Sequence, residues 1–352
     1  MSGGHKRRIV ALEVPEAWFR NPDDGPRHRQ FYASLLAALA EMRVLVDPIW
    51  LPRGADRAPR RAPCGSLVIS FHSHGEAGNV LRCKEAYVPP YYTMDRMGYA
   101  CFSELGRFPD RFRDEIARQD DAAAQAFLDA LAADLRRTNQ SKYPQPPSQP
   151  CGLGERHVFV PLQMQNDSVA QAQWLDVPQA LETIIAGARQ RGLKTVIKRH
   201  PRCHSPRIAE LVERLRGDPD VIVSTASIHD LIRDAELVVG ANSGAMFEAL
   251  LFGRPVIAFA GSDFGLAVQQ VRSARDLAAA VAAPAPPDPA WRRKFLYWYL
   301  TSYCVRADDT LAIRRRIQAF EIERRTGPVS RRAARLSLYG YSIWDRVKKR
   351  LF

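Results

Sequence analysis

The sequence predicts an α/β protein built on parallel sheets with helices on both faces. Short apolar runs suited to buried strands alternate with longer stretches of helical period. The chain has 352 residues, enough for about two domains with cores of their own. One stretch, Tyr143-Pro-Gln-Pro-Pro-Ser-Gln-Pro-Cys-Gly, is dense in proline and divides the series.

The first half opens with strands expected at 8–14 and 44–50. Between them lies a helix over 27–42 with Phe31, Leu35, Leu36 and Leu39 on one face. A third strand is expected at 66–71, ending in His72-Ser73-His74-Gly75. Residues 82–107, rich in Tyr, Pro and Gly, read as an ordered but irregular segment. Residues 110–137 read as one long helix of Ala, Leu, Asp and Arg.

The second half is a cleaner series. Strands are expected at 157–161, 195–198, 221–224, 237–240 and 255–260. Helices fall at 178–191, stopped by Gly192, at 205–216, at 227–233 with Ser227 as N-cap, and at 243–252, closed by Gly253. After a Pro/Ala stretch comes an aromatic segment, Trp291 to Tyr303, expected to pack in a core. A charged helix follows at 309–325. The expected organisation is a first domain at 1–142, a linker at 143–155 and a second domain at 156–289. A helical segment at 290–330 packs back on the body, and a basic tail closes the chain at 331–352.

Composition excludes several classes. With 46% hydrophobic and 25% charged residues the chain is neither disordered nor a fibrous repeat. No run approaches the ~18 apolar residues of a membrane-spanning helix. The first apolar stretch is too short for a signal peptide, so a cytoplasmic protein is expected. The six cysteines form no C-x-x-C pair and read as free thiols, and no metal site is expected. The net charge is +13. The tail at 331–352 concentrates it, with seven basic residues against one acidic. Leu336, Tyr339, Ile343, Val347 and Leu351 recur there at helical steps beside Trp344. That pattern suits a helix lying on the anionic cytoplasmic face of an inner membrane, or one packed on the body. Nucleic acid is not expected, because no helix-turn-helix, zinc-finger or RRM signature is present.

Ligands of doubly wound sheets bind where strands end and helices begin. Three such edges carry polar residues. The first, after strand 157–161, holds Gln163, Asn166, Asp167 and Ser168; it is either a capping loop or a carboxylate at the mouth of a cleft. The second is Lys198-Arg199-His200-Pro201-Arg202, a basic turn suited to phosphate or carboxylate. The third is Gly240-Ala241-Asn242-Ser243-Gly244, small residues opening a helix whose N–H groups face an anion. It is not a P-loop, since no G-K-[ST] follows. Together they suit a nucleotide-linked ligand. His72 and His74 could touch a second substrate, and Lys84 and Glu85 could pair or bind sugar hydroxyls.

Three stretches, Val158–Ser168, Ile197–Pro201 and Asn242–Val256, resemble the capsule-polysaccharide-synthesis family of glycosyltransferases, especially its retaining β-Kdo transferases (Kdo is 3-deoxy-manno-octulosonate). Lys84-Glu-Ala-Tyr-Val-Pro and the segment 95–104 resemble N-terminal motifs of that family more loosely. The resemblance implies a GT-B-like fold of two Rossmann-type domains. The first takes a polysaccharide or glycolipid acceptor, and the second holds a CMP-activated sugar. It implies Asp167 as the nucleophile, His200 and Ser243 as CMP ligands, and Glu104 as the group handling the acceptor proton. Gln163, Lys198, Asn242, Gly244 and Glu248 complete the implied donor site, with no cofactor beyond the donor substrate. This chain has Asn166 beside Asp167 where some relatives carry a second acid. Retention needs one carboxylate as nucleophile and a second group as acid or base. The alternatives are a transferase for another nucleotide sugar on the same fold, or a non-catalytic basic protein binding membrane or nucleic acid.

Overall fold

The computed structural model describes residues 9–20, 25–51, 67–148, 156–165, 167–323, 343, 344 and 347. The chain divides into two compact units. The first comprises Met1–Ala86, Pro90–Glu104 and Tyr303–Phe352; the second comprises Tyr87–Pro89 and Leu105–Ser302.

The first unit is built on a six-stranded sheet. Its strands are β1 (Ile9–Pro15), β2 (Leu45–Leu51), β3 (Leu67–Phe71), β4 (Val80–Glu85), β5 (Tyr91–Asp95) and, from the far end of the chain, β12 (Cys304–Arg306). The order across the sheet is β12-β5-β4-β3-β1-β2. Strands β2, β1, β3 and β4 run parallel, and β5 and β12 are antiparallel additions. The helix Gly25–Glu41 buries Phe31, Leu35 and Leu39 completely, at a strict four-residue step. Leu36 is one residue off that stripe and is exposed, contrary to the expected apolar face. The helix Thr310–Glu323 adds Ile313 and Ile317 to the same core.

Residues 82–107 are not irregular. Strands β4 and β5 carry buried polar residues with hydrogen-bond partners of their own, which hides the strands from an apolar pattern. Arg82 is buried and donates to the carbonyls of Val80 and Arg96. Asp95, also buried, accepts from the N–H groups of Met97, Gly98 and Glu104 and from the Tyr303 hydroxyl.

The second unit holds β6 (His157–Pro161), β7 (Lys194–Lys198), β8 (Val221–Val223), β9 (Ala235–Gly240), β10 (Val256–Ala258) and β11 (Gln269–Gln270). All pair parallel, in the order β11-β10-β9-β6-β7-β8. Counted from β6 this is the 3-2-1-4-5-6 order of a Rossmann sheet, with its reversal between β6 and β9. Gly192 and Gly253 end their helices at φ +66 and +75, as the punctuation predicted.

The unit boundary differs from the expected division at the proline-rich stretch. Residues 105–142 go with the second sheet because the aromatic segment holds them there. Arg293 pairs with Asp121, and the Trp298 indole donates to Glu115. Phe295, Trp298 and Tyr299 are buried as expected. The long helix expected at 110–137 is broken. Arg113–Ala117 ends before Asp120, whose carboxylate caps a new helix, Asp121–Thr138, by accepting from Ala123 N–H. The fold is thus GT-B-like: two Rossmann-like units in one chain, with the C-terminal segment returning to the first. Among the described residues no helix is long and apolar enough to cross a membrane. Most of the tail at 331–352 lies outside the described residues.

Candidate functional site

The reversal between β6 and β9 is the switch point at whose C-terminal edge a doubly wound sheet takes ligands, and the loops flanking it carry the predicted residues. After β9, the chain passes Gly240 and turns at Asn242–Ser243 into the helix Gly244–Leu251. A Cβ on Gly240 would lie 2.9 Å from the Met246 sulfur, so the strand end and helix approach as closely as glycine allows. Ser243 occupies the N-cap in an extended conformation, and its hydroxyl makes no capping bond. The first N–H groups of the helix have no intrahelical partner, and the dipole adds partial positive charge there.

Two amides brace this turn. Asn242 donates its side-chain N–H groups to the carbonyls of Val169, at 3.0 Å, and Gly261, at 2.8 Å. Its backbone N–H donates to Gln163 Oε1 at 3.2 Å, tying the loop after β6 to the loop after β9. Gln163 and Asn242 therefore shape the site from its buried side.

Asp167 caps the short 3-10 helix Ser168–Ala172, accepting from Val169 N–H at 3.3 Å. It also acts electrostatically on His200, the residue two places beyond β7. Asp167 is thus a helix cap whose half-buried carboxylate lies within electrostatic reach of His200. The His200 ring is held neutral. Burial lowers its pKa below the usual value, Arg202 and Lys142 push the same way, and Asp167 opposes them. The backbone N–H of Arg202 donates to His200 Nδ1 at 3.1 Å. That nitrogen therefore carries the lone pair, and the proton sits on Nε2, where it can be donated to an anionic ligand.

Lys198, a member of the implied donor site, is engaged within the unit. Its ammonium donates to Gln145 Oε1 and to the carbonyl of Ala226. Gln145 Oε1 also accepts from Ile228 N–H at 3.1 Å. Glu248 lies in the core rather than at the ligand edge. It is 1% exposed, and its oxygens accept from Ser141 and pair with His229, each at 2.7 Å.

Those contacts recast the expected linker. Asn139 accepts from Ser227, Ser141 donates to Glu248, Gln145 engages Lys198, and Ser148 donates to Asp230. Residues 139–148 are a strap fastened along the second unit. Tyr143 on this strap meets His200 edge-on with centroids 4.9 Å apart, and the Arg202 guanidinium lies over the same ring. Sequence reasoning missed Tyr143 and Gln145, since proline density reads as a spacer. Asp230 and Asp263 are both buried. Asp263 accepts from the Tyr87 and Tyr299 hydroxyls, and Tyr87 stacks on Phe247 beside Gly244.

In the first unit Glu104 opens the short helix Glu104–Arg107 and pairs with Arg96 at 3.0 Å. His72 follows β3 in a left-handed conformation, φ +52, and contacts Glu85. His74 stacks on Phe102.

Residues 147–289 match the family model described as capsule polysaccharide biosynthesis protein. No curated protein sequence matches the chain. Two solved structures from Thermosulfurimonas dismutans share the fold. KpsC, β-Kdo 2,4 transferase, is 14% identical with a TM-score of 0.50, over 83% of this chain and 91% of that one. KpsC, β-Kdo 2,7 transferase, is 14% identical with a TM-score of 0.51, over 90% of this chain and 100% of that one. In the sequence of its second half the chain resembles a capsule polysaccharide biosynthesis protein, and in its fold it resembles a β-Kdo transferase.

Proposed function

We propose that this protein is a glycosyltransferase moving Kdo, or a related ulosonic acid, from its CMP-activated form to a cell-surface polysaccharide or glycolipid. The observation that carries the reading is the β6/β9 edge. A neutral His200 with its proton on Nε2, an uncapped helix start at Ser243 and the Asp167 carboxylate meet the needs of an anionic leaving group and a nucleophile. The CMP phosphate rests on the N–H groups at Gly244 and Ala245, with Ser243 and His200 donating to its oxygens. Asp167 attacks the anomeric carbon as the carbon–oxygen bond to phosphate breaks, releasing CMP and leaving a sugar ester. An acceptor hydroxyl then displaces the carboxylate and gives up its proton to a base. Two inversions retain configuration. Glu104, a carboxylate paired with Arg96 at 3.0 Å, suits that base.

Incubation with CMP-Kdo followed by peptide mass spectrometry tests the reading. It expects released CMP and a Kdo-sized adduct on the peptide containing Asp167. No CMP release, or an adduct confined to another peptide, contradicts it. We further propose that the protein touches the inner membrane through its tail. Ile343, Trp344 and Val347 are helical and 44%, 66% and 41% exposed, so these apolar side chains are not covered by the body. Deleting 331–352 should release the protein from vesicles of anionic lipid in co-sedimentation, and retained binding would refute this.

A further inference from the structure

The first sheet has its own reversal. Its order places β2 and β3 on opposite sides of β1, a switch point of the kind at whose C-terminal strand ends such sheets take ligands. Three titratable side chains gather beside it. His72 Nε2 lies 2.5 Å from Glu85 Oε2, Lys84 Nζ lies 2.6 Å from Glu85 Oε1, and Lys84 Nζ lies 3.1 Å from His72 Nε2.

This meeting is not what a strand does by default. Consecutive strand residues point to opposite faces. Lys84 and Glu85 are consecutive, yet their charged ends touch at the end of β4. His72, which meets them, holds φ at +52, a conformation that a non-glycine residue adopts at a cost. The surrounding structure enforces it. Buried Glu13 accepts from Ser70 Oγ at 2.7 Å and from Phe71 N–H at 3.0 Å, and Ser70 bonds Ser73 at 2.6 Å. The backbone is thus gripped on both sides of His72. The three side chains still keep 18–27% of their surface open to solvent. A network serving packing alone needs neither the strained backbone nor the open face.

We propose that His72, Lys84 and Glu85 form a sugar-binding site that receives the acceptor glycan; this rests on the transferase reading above. The chemistry selects neighbouring ring hydroxyls. One hydroxyl accepts from the Lys84 ammonium while the next donates to the Glu85 carboxylate, and His72 holds the far oxygen of that carboxylate. Tyr99, 5.5 Å from Lys84 Nζ to its ring centroid, supplies an apolar wall for the C–H face of a pyranose. The segment that carries Tyr99 also carries Glu104, the group suited to take the acceptor proton.

Saturation-transfer NMR on the full chain tests this with the methyl glycosides of Kdo, glucuronic acid and glucose as probes. Wild-type protein should transfer saturation to at least one of them. Lys84→Met and Glu85→Gln should each cut that transfer at least five-fold, with CMP titration as the control for an intact fold. Tyr99→Leu, which leaves the ion network in place, should weaken the same signal and keeps the test decisive if a charge variant fails to fold. Undiminished transfer in the variants, or none to any probe in the wild type, overturns the proposal. A wild-type protein that binds a glycoside but neither binds CMP nor releases it from CMP-Kdo refutes the transferase reading instead, and leaves the sugar site standing.

Discussion

The two sheets present the same kind of edge by different means. In the second unit the turn after β9 is made largely of main chain, with His200 and Asp167 on the neighbouring loops. A glycine at the strand end, an N-cap serine and a helix start form it, and the side chains of Gln163 and Asn242 brace it from behind. In the first unit the edge is made of side chains, with a His-Lys-Glu network held by buried carboxylates such as Glu13. A main-chain edge suits phosphate, which any backbone N–H can bind. A side-chain edge suits a ligand that must be told apart by its hydroxyls. On the proposed reading, the nucleotide goes to the second unit and the choice of acceptor sugar to the first.

The sharpest way to break this division is at Asp167. Asp167→Asn keeps an oxygen able to cap the Ser168–Ala172 helix but removes the carboxylate proposed as nucleophile. Transfer from CMP-Kdo should fall on the order of 10⁴-fold or more, with the melting temperature nearly unchanged. If Asp167→Asn retains activity while Asp167→Ala unfolds, the carboxylate is a cap and no more.

The next effect is on stability. Glu248 and His229 form a buried pair beneath the donor edge, with Ser141 of the strap on the same carboxylate. Glu248→Ala leaves His229 without that partner and should cost about 3–5 kcal/mol in chemical denaturation. A loss below about 1 kcal/mol would show that the strap and the helix are not fastened through Glu248.

The smallest effect concerns pH. His200 titrates below its unfolded value of 6.5 because it is buried. Between that folded value and 6.5 the unfolded chain binds a proton that the folded chain resists. The contribution is therefore complete above pH 6.5 and is lost as pH falls through the folded value. Denaturation midpoints of wild type and His200→Gln should converge on acidification and separate above pH 6.5. Parallel curves would mean that the ring is not buried as described.

Much of the second unit was legible because its signals are local. Ser227, Gly192 and Gly253 punctuate helices within a few residues of where they act. The three polar strand ends are consecutive in one sheet, so their convergence followed from the α/β pattern. What escaped was set by distant partners. Strands β4 and β5 bury Arg82, Thr93 and Asp95 among main-chain and side-chain partners that no apolar periodicity records. Tyr143 and Gln145 sit among prolines, whose extended backbone here turns side chains onto a neighbouring surface instead of leaving a free spacer. The break before Asp121 was readable in principle, since Asp120 and Asp121 together are an N-cap and an acidic first turn.

The central claim is that the second unit holds a CMP-linked donor between His200 and the helix start at Ser243. Calorimetric titration of the full chain with CMP tests it most directly. The account predicts saturable binding to wild type, weakened by about 1–3 kcal/mol in His200→Ala and in Ser243→Ala, with UMP and GMP binding less tightly. Equal affinity in the wild type and both variants, or no preference for CMP, would contradict it.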